Sequence, residues 1–123
     1  MTGALLLAAL AASAAAAPAD VATGEAVYAR CQACHALAYD RTGPRHCGLI
    51  GRRAGSVPGY AYSEAMKKSK IVWSAATLDR FLANPTAAVP GTTMGYAGVA
   101  DAKERAALIA YLADANASAA CRR

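Results

Sequence analysis

The chain has 123 residues and a mass of 12.5 kDa, which accommodates one domain. A net charge of +5, no low-complexity charged tail and no internal repeat exclude a disordered linker or a solenoid. No run reaches the ~20 apolar residues of a membrane span, and one Phe, one Trp and six Tyr leave few bulky side chains for a core. That shortage points to a filler which is not protein.

Residues 4–17 are all Ala, Leu or Ser, and Ala15-Ala16-Ala17 followed by Pro18 has the small-residue pattern of a secretory cleavage site. Residues 1–17 therefore read as a signal peptide that is cleaved, although no Lys or Arg precedes Leu5. Residues 18–123 are then the folded domain, exported to the periplasm as a soluble protein expected to be a monomer. Export makes the chemistry of Cys31, Cys34, Cys47 and Cys121 oxidative.

Thr23 to Arg30 reads as helical and leads into Cys31-Gln32-Ala33-Cys34-His35. A C-x-x-C-H run has three chemical readings. A thioredoxin-like redox pair wants a βαβ setting, and no strand-rich pattern follows. A zinc site wants further ligands, and only His46, Cys47 and Cys121 remain, with no second C-x-x-C or H-x-x-x-H. Covalent haem attachment needs nothing else nearby: two thiols add to two vinyl groups, and the next residue delivers His35 to the iron. Met66, Met94, His46 or a solvent position could take the opposite face of that iron.

Gly and Pro are dense from the haem motif to Ser63, with no alternating strand pattern. Ser63 to Lys68 reads as a short helix with Met66 on its inner face. Ser74 can cap a helix through Leu82, ended by Asn84-Pro85. Met94 sits in the loop Pro90-Gly91-Thr92-Thr93-Met94-Gly95-Tyr96, where turn residues on both sides can aim a side chain inward. Asp101-Ala102-Lys103-Glu104 is a capping-box-like start to a last helix, on which Leu108, Tyr111, Leu112 and Ala115 recur along one face. The expectation is an all-α fold of three to four main helices and long loops wrapped around one haem.

From Gly24 to about Leu112 the residues resemble class I cytochromes c of the soluble mitochondrial and purple-bacterial carrier type. The resemblance rests on motifs in the family's order. Gly24, Val27 and Tyr28 precede Cys31-Cys34-His35, and Gly43-Pro44, Gly48-Leu49-Ile50-Gly51-Arg52 and Pro58-Gly59-Tyr60-Ala61-Tyr62-Ser63 follow it. Trp73, Leu78, Phe81-Leu82, Asn84-Pro85, Pro90-Gly91-Thr92, Met94 and Leu108-Ile109-Ala110-Tyr111-Leu112 complete the series. The resemblance implies one haem c held through Cys31 and Cys34, with His35 and Met94 as axial ligands. It implies that the Pro44 carbonyl fixes the His35 ring, as outer-shell partners do. It also implies that Arg52, Tyr62, Trp73 and Thr92 surround the propionates, and that Gly24 and Tyr28 cross Leu108 and Tyr111.

Several residues depart from that pattern. The segment between His35 and Pro44 is shorter than in the mitochondrial type. Phe81 and Met66 stand where the family often has Tyr and Asn, and these changes push the haem potential in opposite directions. Residues 41–70 hold seven Lys or Arg against one Glu, yet Thr86, Thr93, Ala100 and Asp101 occupy positions where relatives carry lysines. Arg30 and Arg41 remain at the exposed haem edge, with Tyr96 beside it. Cys47 stands where relatives commonly have His, and a disulfide to Cys121 is expected in an oxidising compartment.

The function implied is one-electron transfer, not enzyme catalysis. Its partners would be redox proteins such as a membrane bc-type complex, a terminal oxidase or a periplasmic dehydrogenase or reductase. Nucleic-acid binding is disfavoured, because no matching motif is present. The alternative from another class is an open-site haem protein, peroxidase-like or gas-binding, which requires that Met94 not ligate. A haemless scaffold of paired cysteines leaves His35 and the ordered motifs unexplained.

Overall fold

The computed structural model describes residues 21–122. The expected signal segment, residues 1–17, lies outside the described residues. The described chain runs α1 (Val21–Tyr28), α2 (Glu64–Lys68), α3 (Ala75–Ala83), α4 (Pro85–Ala88), α5 (Ala102–Asn116) and a 3₁₀ turn (Ala119–Cys121). Among the described residues there is no β-strand, only an isolated antiparallel bridge between Arg53 and Val72. No described helix is long and apolar enough to cross a membrane.

The helices start where side chains satisfy their first N–H groups. Ser63 caps α2 by accepting from the Met66 amide at 3.1 Å. Ser74 and Thr77 cap each other reciprocally at the head of α3, with the Ser74 amide 2.8 Å from Thr77 Oγ1. Asp101 Oδ1 accepts from the Glu104 amide at 2.9 Å and starts α5. The box there closes on one side only, because Glu104 Oε2 is taken by Arg30 Nη1 at 2.6 Å. Asn84-Pro85 ends α3 as its sequence predicts, and it also begins α4. Asn84 Oδ1 accepts from the Ala87 amide at 3.2 Å, and Pro85, lacking an N–H, costs nothing at the first helical position.

The first helix stops at Tyr28, earlier than the sequence suggests. Beyond it the chain tightens: the Arg30, Cys31 and Gln32 amides bond to the carbonyls of Val27, Tyr28 and Ala29, three residues back. This carries Cys31 and Cys34 off the helix axis toward the interior. Helix α1 crosses α5 at Gly24, where a Cβ would lie 2.0 Å from the Ala107 carbonyl oxygen and 2.7 Å from Tyr111 Cβ. Any side chain there would hold the helices apart. The crossing lets Val27, Tyr28, Leu108 and Leu112 enter one core with Leu78, Phe81 and Leu82 of α3. Each such buried side chain contributes about 1.5–3 kcal/mol.

Arg105 clamps α5 to α3. Its Nε donates to Asp79 Oδ1 at 2.9 Å, and its Nη1 donates to the Val99 and Ala100 carbonyls at 3.0 and 2.9 Å. The long loop between α1 and α2 is held by backbone pairing across the bridge. The Gly51 amide bonds to the Trp73 carbonyl at 2.7 Å, and the Trp73 amide to the Arg52 carbonyl at 2.9 Å. Two residues distant in sequence, Arg52 and Trp73, are thereby brought onto the same wall of the interior.

Candidate functional site

Between the helices and the loops lies a cavity with about 1150 Å³ of empty space, counted out to its open mouth. All nine residues that the sequence singles out for the cofactor line it: Cys31, Cys34, His35, Pro44, Arg52, Tyr62, Trp73, Thr92 and Met94. Apolar side chains of Leu49, Met66, Leu78, Phe81 and Leu82 form much of the remaining wall. The core is short of bulky residues because its centre is reserved for something else.

The His35 ring is held by its surroundings. Its Nδ1 lies 2.8 Å from the Pro44 carbonyl, which can only accept, so Nδ1 carries the proton and Nε2 is left bare. Gly43 presses on the same ring, since a Cβ there would sit 2.2 Å from His35 Cε1. The Gly43 amide donates to the Cys34 carbonyl at 2.7 Å, locking that backbone in place. Burial pushes the His35 pKa down, the Pro44 bond opposes it, and the nearby Arg41 charge adds to the lowering. Arg41 itself donates to the Gln32 and His35 carbonyls. A neutral imidazole with a bare nitrogen is the form that binds a metal.

Beside it, Cys31 and Cys34 are free thiols, the first half-buried and the second exposed. Burial raises the Cys31 pKa against the opposing charge of Arg30, so its thiol stays protonated at neutral pH. Met94 reaches the cavity from the loop after α4, where the Thr92 amide closes a turn on the Val89 carbonyl at 3.0 Å and Gly91 takes a φ of 91°. Thr92 Oγ1 accepts from the Met94 amide at 3.3 Å. Among the described residues no group of three His, Cys, Asp or Glu could hold a metal ion.

The donor chemistry of the cavity fits a group bearing carboxylates. Arg52 donates through Nη1 to the Cys47 carbonyl at 3.2 Å and through Nη2 to the Arg45 carbonyl at 2.9 Å, while its buried Nε has no partner. Tyr62 accepts from the Val57 amide at 3.1 Å and has its own proton to give. Among the described residues no acceptor takes the Trp73 indole N–H or the Thr92 hydroxyl proton. The buried Arg52 Nε, a donor without an acceptor, is costly, and a carboxylate entering the cavity would satisfy it.

Residues that the sequence did not assign to the site also line it. Tyr60, given no role by the sequence, is one; Met66, weighed there as a candidate ligand and as the inner face of a helix, and Tyr96, expected beside the haem edge, line it too. His46, a candidate opposite ligand by sequence, stacks on His35 instead, with ring centroids 4.2 Å apart and planes at 22°. It stands on the His35 side. No periodicity or spacing signals that contact, because a loop brings the two rings together.

Burial, with the His35 and Arg52 charges adding to it, pushes His46 down to about 3 from an ordinary 6.5. Between those pH values the unfolded chain binds a proton that the folded chain refuses. Stability is therefore fully present above pH 6.5 and falls as pH drops toward 3, by up to about 1.4 kcal/mol per pH unit. Acid unfolding followed by circular dichroism should show this slope, and His46→Leu should flatten it. An unaltered slope in that variant would remove His46 as its source.

Cys47 and Cys121 form a disulfide, with Cα atoms 5.2 Å apart. It ties the 3₁₀ turn after α5 to the residue following His46. At the cavity mouth Arg30 is paired with Glu104, and Thr93 and Gly95 are exposed.

A helical fold around a donor-lined cavity, with two free thiols and a bare imidazole nitrogen on its wall, defines a protein that carries a covalently bound haem. Residues 21–116 match the family described as Cytochrome c. The chain is 45% identical over 97 residues to cytochrome c2 of Rhodomicrobium vannielii, covering 76% of this chain and 78% of that protein. It is 42% identical over 104 residues to cytochrome c of Sesamum indicum, covering 81% and 94%. Cytochrome cH from Methylobacterium extorquens superposes with a TM-score of 0.75 at 43% identity, covering 77% of this chain and 98% of the other. The chain belongs to the cytochrome c family. It is a haem-based electron carrier, with one covalently attached haem c, and not an enzyme.

Proposed function

We propose that this chain is a periplasmic one-electron carrier in which Cys31 and Cys34 bond the haem and His35 and Met94 are its axial ligands. The observation that carries this reading is the His35 ring, protonated at Nδ1 by its bond to Pro44 and bare at Nε2, in a cavity that Met94 also lines. The bound haem supplies an iron that takes up and releases one electron. The residues supply the rest. Arg52, Tyr62, Trp73 and Thr92 offer unpaired donors to the propionates, and the apolar wall excludes water, so little has to reorganise when the charge changes. Two protein ligands leave no open position for substrate.

Residues 41–70 outside the cavity wall, with Arg41, Arg45, Arg53, Lys67, Lys68 and Lys70 against Glu64, support docking to an acidic redox protein. A membrane bc-type complex, a terminal oxidase or a periplasmic dehydrogenase or reductase fits that description. The Arg30–Glu104 pair lowers the charge at the cavity mouth, so steering is expected to come from this basic flank. The signal-like residues 1–17 support export.

The ferric near-infrared methionine–iron band tests the ligand set. It should disappear in Met94→Ala and persist in Met66→Ala, although both side chains line the cavity. A haem-loaded parent protein without the band would favour an open-site protein, to be followed by carbon monoxide and peroxide binding.

A further inference from the structure

We propose that His46 is a positioning residue that sets the plane of the His35 ring, with Tyr28 orienting His46 in turn. The inference rests on the reading of His35 as an iron ligand. The hydrogen bond from His35 Nδ1 to Pro44 O holds the ring at one atom and the Gly43 backbone packs against it, but neither alone fixes its tilt. A second ring 4.2 Å away and inclined by only 22° covers a face and opposes that tilt.

His46 is itself held at several points. Tyr28 Oη lies 2.9 Å from His46 Nδ1, and this hydrogen bond ties the ring to α1. Tyr28 is buried at 1% exposure and packs on Tyr111 of α5 at 5.1 Å between ring centroids. The His46 amide bonds to the Ala36 and Leu37 carbonyls at 3.2 and 3.1 Å, and Asn116 Nδ2 donates to its carbonyl at 3.3 Å. The next residue, Cys47, is anchored by the disulfide. Ring, amide and carbonyl of His46 and its neighbour are thus each fixed by a different element. A residue that only filled space would not need its ring tied by a buried hydroxyl.

The path runs from the α1–α5 crossing through Tyr28 and His46 to His35. The plane of an axial imidazole sets the distribution of unpaired spin over a ferric haem, so the haem-methyl proton resonances report ring orientation directly. The test uses the haem-loaded protein and its Tyr28→Phe, His46→Leu and double variants, with Val99→Ala as a control. Val99 is a buried core residue that does not line the cavity. We expect the methyl pattern to shift in both single variants, the double variant to match His46→Leu alone, and Val99→Ala to keep the parent pattern. Tyr28→Phe removes only a hydroxyl, so the fold survives.

A pattern unchanged in both single variants overturns the proposal and leaves His46 as packing. Additive shifts in the double variant overturn the Tyr28 link, and an equal shift in Val99→Ala overturns the assignment to ring orientation. Failure of the ligation reading is a separate result: His35→Ala would then keep the parent's low-spin ferric spectrum.

Discussion

Replacing Cys31 and Cys34 together by serine should give a chain from which acidified acetone extracts all the haem, whereas the parent retains its haem completely. Both thiols line the cavity and neither is spent on a disulfide, so they are available for thioether bonds. Without those bonds, only ligation and packing retain the group. The loss extends to the fold, because the described core contains few bulky side chains besides Trp73, Phe81 and Tyr28 and surrounds a cavity of about 1150 Å³ counted out to its open mouth. Leu49, Leu78, Phe81 and Leu82 would face water instead of porphyrin, at about 25 cal/mol per Å² of apolar surface. We therefore expect a large loss of helical circular dichroism in haem-free chain. Full retention of haem through the extraction would remove the two cysteines from the attachment.

The second large effect is expected from Cys47→Ser combined with Cys121→Ser. The crosslink closes a loop with a sequence separation of 74, which in the chain-entropy model contributes about 4 kcal/mol by constraining the unfolded chain. For a domain of this size that corresponds to a fall in Tm on the order of 20 °C. The haem should stay bound, because neither cysteine lines the cavity. The two cysteine pairs thus separate cleanly: one controls the cofactor, the other the reach of the unfolded chain. A thiol count on the denatured, unreduced parent should find neither Cys47 nor Cys121 reactive. An unchanged Tm in the double variant would assign the pair no stabilising role.

Local chemistry was legible before the fold was known. Cys31, Cys34 and His35 are near neighbours in the chain, so their C-x-x-C-H spacing is readable without the fold. The caps at Ser74 and Asp101 are likewise legible, since each acts on an amide three residues away. By contrast, α4 hid behind Asn84-Pro85, which serves as an end and a beginning at once. The upstream partner of Glu104 was hidden as well, because Arg30 lies 74 residues away in sequence.

The sequence by itself determined the cofactor class, the helical architecture and nine of the residues that line the cavity, because motif spacing and family order are properties of the chain. Tertiary structure alone decided which of them meet, and how. The pairing of residues 51–54 with 71–73 sets Arg52 and Trp73 on one wall and leaves the Arg52 Nε buried without a partner. The turn at Gly43 and Pro44 selects the His35 tautomer, and the stack of His46 on His35 exists only because a loop with no periodic pattern returns to that ring. Such contacts join residues distant along the chain, and loop geometry rather than local propensity determines their orientation.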